Sequence, residues 1–143
     1  MLQSNRGFTI IQFIAGMTVG GLLLVGIFVY AAKGEQRESQ RKSDLGLVDA
    51  MIGRYAEVHH GKYPITKQAT IGGSELHMEF DALHLYDPKS GKAYVLGSDF
   101  GDCDSSADIS ELGPGYISYR SPGKDGPYSL RICLEKGEYY FVN

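Results

Sequence analysis

The opening 32 residues of this 143-residue chain contain almost no charge, and Arg6 is the one Lys, Arg, Asp or Glu before Lys33. That excludes a water-solvated opening segment. Proline is also missing from residues 8–32, so nothing there forces a helix to break. Residues 33–143 hold the other 13 Lys and Arg and all 17 Asp and Glu, a net charge of −4. A part with that balance is a poor nonspecific ligand for duplex DNA, where affinity comes from neutralising phosphates. Motifs of catalysis are lacking as well: there is no nucleophile beside an evident base, no glycine loop to cradle phosphate and no zinc-ligand spacing. The chain reads as a non-enzyme. Cysteine is limited to Cys103 and Cys133, which leaves one disulfide or two free buried thiols. No repeat and no low-complexity tract is present.

What is present is a long apolar run. From Phe8 to Ala32 only Gln12 and Thr18 are clearly polar, and neither is charged. These 25 residues make about 37 Å of helix, against a hydrocarbon core of about 30 Å. A cleaved secretory signal has an apolar core of about 7–15 residues, so the run is too long for one, and it lacks the usual basic start. Gly16 and Gly20 form a small-xxx-small pair, the spacing that lets helices approach closely in lipid.

Residues 6–12, RGFTIIQ, resemble the processing site of type IV prepilins and type II secretion pseudopilins. The pattern there is a basic residue, Gly, Phe, Thr, Leu or Ile, Ile, then Glu. The resemblance is specific over residues 6–28. It implies a leader at 1–7, cleavage between Gly7 and Phe8 by a prepilin peptidase, and methylation of the new amino terminus at Phe8. It also implies that the helix of residues 8–32 is stored in the cytoplasmic membrane and later packed into the core of an extracellular filament, a pilus or fimbrium. Other pilin subunits, membrane lipid, an assembly ATPase and a platform protein are the implied partners. Gln12, Gly16 and Gly20 are the expected filament-core contacts. Gln12 departs from the pattern, because the family has Glu there. A carboxylate can neutralise the cationic amino terminus in a dry core, whereas an amide only accepts its hydrogen bond. That favours a minor or tip subunit. A major pilin or a pseudopilin is the alternative, and so, from another class, is an unprocessed single-pass membrane-anchored binding domain. Adhesion, motility, DNA uptake and secretion stay open, as does the ligand of the exposed face.

Beyond the apolar run, Lys33, Arg37 and Arg41 recur every four residues and read as a solvated stripe at the lipid headgroups. Charge bias alone would put this flank in the cytoplasm. The processing motif and the cysteines put the domain outside. Leu45, Val48, Met51, Ile52, Tyr55 and Val58 follow 3,4 spacing, the mark of an amphipathic helix over 33–60 that packs on a sheet. The stretch YAEVHHGKYPIT resembles the end of the long pilin helix, with Gly61 and Tyr63-Pro64 as the stop. His59 and His60 read as helix-end residues with no third metal ligand. Residues 61–143 read as a loop region followed by a 3–4-stranded antiparallel sheet, with strands near 93–96, 116–120, 128–135 and 139–142. The fold class is therefore α+β and type IV pilin-like: a long N-terminal helix, half membrane-spanning and half amphipathic, on that sheet. Outside the cytoplasm, Cys103 and Cys133 are expected to pair. Cys133 alternates onto the polar face of its strand, so the bond would pin the 98–112 loop across the outer surface of the sheet. In that acidic loop Asp102, Asp104 and Asp108 are the calcium candidates. Ala107 stands where a calcium loop needs glycine and Gly113 where it needs the closing acid, so a solvated loop without cofactor is the expectation.

Overall fold

The computed structural model describes residues 10–70, 72–121, 127–137 and 139–142. The chain divides into two compact units, Met1–Glu35 and Gln36–Asn143. Helix α1 runs over Ile10–Val58. Its apolar first part belongs to the first unit, and the remainder is the helix of the second unit, the head.

In the head, α1 buries Leu45, Val48, Met51 and Ile52, as the 3,4 spacing predicts. Val58 differs: it is 70% exposed, and Ala56 is buried in the last turn instead. The chain leaves the helix there, with His60 and Gly61 at positive φ. The Gly61 N–H donates to the Ala56 carbonyl at 2.7 Å, closing the helix end. Two short helices follow where a plain connection was expected, α2 at Thr66–Ala69 and α3 at Glu75–Ala82. The Ser74 hydroxyl accepts from the His77 N–H at 3.2 Å and caps α3. Leu76 and Phe80, four residues apart, are its buried face.

The sheet has four strands in sequence order: β1 (Val95–Gly97), β2 (Tyr116–Arg120), β3 (Ser129–Cys133) and β4 (Tyr139–Val142). The pairs β2–β3 and β3–β4 are antiparallel, but β1 and β2 run parallel. The sheet is thus mixed, and the expected all-antiparallel meander is corrected. A parallel neighbour needs a crossover of a dozen or more residues, and residues 98–115 provide one.

One face of the sheet, with Leu96, Ile117, Tyr119, Leu130 and Ile132, joins the α1 stripe and Phe80 of α3 in a single core. At about 25 cal/mol per Å² of apolar surface, this burial is the main source of head stability. The Tyr119 hydroxyl donates to the Pro64 carbonyl at 2.8 Å, so its polar end is satisfied at the core edge. The opposite face is also covered. Tyr116, Ser118, Arg131 and Cys133 are all buried there. A Cβ on Gly97 would fall 1.6 Å from the Tyr116 hydroxyl oxygen, so only glycine lets that ring lie across β1.

Candidate functional site

Three regions bear on function: the apolar segment of α1, a cluster of charges in the head, and the loop stapled by the disulfide. Among the described side chains of the first unit, the large apolar ones face outward. Met17, Leu22, Phe28 and Tyr30 are 67–78% exposed. An 18-residue window of this helix has a mean hydropathy of 1.6 and no buried residue, long and apolar enough to cross a membrane. No atom outside the helix backbone lies within 4 Å of where a Cβ would sit on Gly16 or Gly20, so that face is open to a second helix. Gln12 lies on the helix. Gly7 and Phe8, the expected cleavage and methylation residues, lie outside the described residues.

The charged stripe of α1 is not uniformly solvated, which corrects the expectation for Arg37 and Arg41. Arg41 has no exposed surface. Its Nε donates to Asp87 Oδ1 at 2.6 Å and its Nη1 to Glu135 Oε1 at 3.2 Å. Arg37 grips the same Glu135 with two bonds, Nε to Oε1 at 2.7 Å and Nη2 to Oε2 at 3.0 Å. Asp87 is itself saturated. Its Oδ2 accepts from the Lys89 N–H at 3.1 Å, the Ser90 N–H at 2.7 Å and the Ser90 hydroxyl at 2.9 Å. The arginines hold the Glu135 carboxyl below its usual 4.5, through the Arg37 hydrogen bonds first. This collar ties α1, the 87–90 turn and the turn after β3 together. Two further α1 carboxylates act as acceptors: Asp44 takes the Tyr94 hydroxyl at 2.8 Å, and Asp49 takes the Tyr128 hydroxyl. Burial, then these bonds, pushes both phenols far above the normal tyrosine range. Burial first, with Tyr63 and Tyr55 adding to it and a hydrogen bond with Ser121 opposing it, raises Tyr119 to about 12.

Cys103 and Cys133 form a disulfide with Cα atoms 5.5 Å apart, closing a separation of 30 residues. On a chain-entropy account such a closure stabilises by about 3–4 kcal/mol. The bond draws the 98–112 loop over the outer face of the sheet, as the alternation of β3 predicts. Sequence reasoning missed Arg131, the residue that completes the anchor. It is only 4% exposed, and its guanidinium donates to the carbonyls of Asp99, Phe100 and Gly101 at 3.0–3.2 Å. The Phe100 ring lies against both Arg120 and Arg131, 4.4 and 4.6 Å from their guanidinium carbons.

The three acids singled out for calcium are not gathered into one cage. Asp104 accepts from the Ser106 N–H and hydroxyl, which hold its carboxyl below the normal range. Asp108 is paired with Lys92, which lowers it likewise. A Cβ at Gly113 would lie 2.2 Å from the Ala107 carbonyl oxygen, so no closing acid fits there. Among the described residues no group of three or more His, Cys, Asp or Glu side chains could hold a metal. Asp102 is exposed on the same loop. His59 stacks on Tyr55 with centroids 3.8 Å apart, and its Nδ1 lies 2.8 Å from the Tyr55 carbonyl oxygen. Of the tyrosines, Tyr116 and Tyr119 are core and Tyr86 is exposed. No protein-family model, curated protein or solved structure matches this chain.

Proposed function

We propose that this chain is a type IV pilin-like structural subunit, a minor or tip subunit of an extracellular filament, and not an enzyme. The observation that carries the reading is the segment of α1 before Lys33: an apolar rod with its large side chains outward, behind the RGFTIIQ motif. Such a surface is stable in lipid or against other helices and is costly in water. Cleavage between Gly7 and Phe8 by a prepilin peptidase frees the rod. The platform and its ATPase then move it from the membrane into a bundle with other pilin subunits. The Gly16–Gly20 face fits close helix approach, and Gln12 in place of an acid favours a subunit present in few copies. The stapled loop and the head face outward, toward a ligand of unassigned chemistry.

The test is the mass of the mature amino terminus. Chains recovered from cells are expected to begin at N-methylated Phe8 and to appear in sheared filaments. A functional chain that retains Met1 and enters no filament overturns the reading in favour of an anchored binding domain. Gln12→Glu sharpens the copy-number question, with the variant expected to enter filaments more abundantly. A wild-type chain that already forms the bulk of the filament makes it a major pilin.

A further inference from the structure

The charged collar holds out a feature that filament packing does not use. Residues 85–94 form a small hairpin, with the Tyr94 N–H bonded to the Leu85 carbonyl at 3.1 Å and the Asp87 N–H to the Lys92 carbonyl at 2.8 Å. Two of its side chains stand free of the core: Tyr86 is 51% exposed and the Lys89 side chain 54%. Lys136 is exposed and directly follows Glu135, whose carboxylate lies 3.9 Å from the Lys89 ammonium. The hairpin is clamped on α1. Asp87 is held by Arg41, and the Lys89 ammonium lies 3.9 Å from the Glu135 carboxylate that Arg37 grips.

Arg37 comes five residues after Ala32, the end of the apolar run. In any conformation that stretch spans at most about 18 Å. With the run in a bilayer, the clamp is therefore leashed close to the headgroup layer. The acids of the collar do not oppose a negative surface, because Asp87 and Glu135 are engaged by Arg41 and Arg37. Along the sequence, Lys33 and Lys42 balance Glu35 and Glu38 in charge. An exposed tyrosine with an exposed lysine three residues on, in one hairpin, matches the chemistry of a membrane–water interface, and lysines there attract anionic lipid.

We propose that the 85–94 hairpin is a second membrane contact of the anchored chain, with Lys89 and Lys136 on lipid phosphates and Tyr86 in the headgroup layer. This rests on the anchor part of the reading above and not on polymerisation. The contact holds the head down while the subunit waits in the membrane and is surrendered when it is drawn out.

The full chain, reconstituted in lipid nanodiscs carrying a gadolinium-chelating headgroup lipid, tests this by amide relaxation. The amides of residues 89–92 are expected to relax faster in discs that contain phosphatidylglycerol than in phosphatidylcholine alone, and the difference is expected to fade at high salt. Lys89→Gln should weaken the contact about fivefold. Lys67→Gln, on α2, should leave it unchanged, with the thermal midpoint of the head constant in both variants. Equal relaxation in the two lipids, or indifference to Lys89→Gln, overturns the proposal, because the leash alone then explains proximity. No enhancement at 89–92 overturns it too. A chain that fails to enter the disc overturns the anchor reading and the contact together, whereas insertion without lipid-dependent relaxation overturns the contact alone.

Discussion

The two units invert each other's chemistry. Between residues 14 and 30 the leucines, isoleucines and phenylalanine point outward, and no charge is present. In the head Arg41, Asp87 and Arg131 are buried while Val58 and Leu47 are exposed. Each arrangement makes sense only with its surroundings. An outward apolar helix needs lipid or other helices, since water penalises it at about 25 cal/mol per Å². A buried arginine needs partners that satisfy it fully, since an uncompensated charge in the interior is far costlier than an exposed leucine. The described part of one unit leaves its apolar surface outward, whereas the buried charges of the other are satisfied by residues far away along the chain.

The contrast is broken most directly at Arg41. Arg41→Ala leaves Asp87 buried without its cation and should destabilise the head by about 3–5 kcal/mol. That lowers its thermal midpoint by more than about 12 °C, read by calorimetry, while membrane retention stays as in the wild type. Cys103→Ser comes next, with an expected loss of about 3–4 kcal/mol. Limited proteolysis should then cut first within residues 98–112, which the wild type protects. In the other unit, Leu24→Arg should make membrane insertion less favourable by about 3 kcal/mol. Carbonate extraction should release more of this variant, and the melting of the head should not move. If Leu24→Arg does lower the melting point of the head, the two units are not separable in the way described.

The smallest effect is a pH dependence. Glu135 titrates below its unfolded value because Arg37 and Arg41 favour its charged form. Its contribution is therefore present above about pH 4.5 and lost as the pH falls through the lower folded value. The midpoint of the head should drop on acidification below that point, and Glu135→Gln should flatten the slope while lowering stability at neutral pH.

Much of the head was legible because periodicity reports burial. The 3,4 spacing of Leu45, Val48, Met51 and Ile52 and the alternation of Leu130, Ile132 and Leu134 each identify a buried face before any partner is known. The burial of Arg41 was not legible, since cations four residues apart on a helix ordinarily mark a wet face. Its partners Asp87 and Glu135 stand 46 and 94 positions away, and no local pattern points to them. The direction of β1 was hidden for a related reason: strand polarity depends on the path of the crossover, and composition does not encode it. Helix α3 carried a readable signal in Ser74 followed by Leu76 and Phe80, but eight residues with two apolar contacts are a weak one. The stapled loop was read from two cysteines, while its second anchor, Arg131, sat in plain alternation with its neighbours and looked solvent-facing.

The way Arg131 holds that loop has a consequence for how the surface can vary. Its guanidinium grips main-chain oxygens of residues 99–101, and main-chain oxygens are the same whatever side chains they bear. With the sulfur bridge, Phe100, the buried Ile109 and the Asp108–Lys92 pair as further fixings, the outward residues near Asp104, Ser105 and Ser106 can be rewritten without loosening the mount. The head therefore has a socket that is constant and a faceplate that is exchangeable.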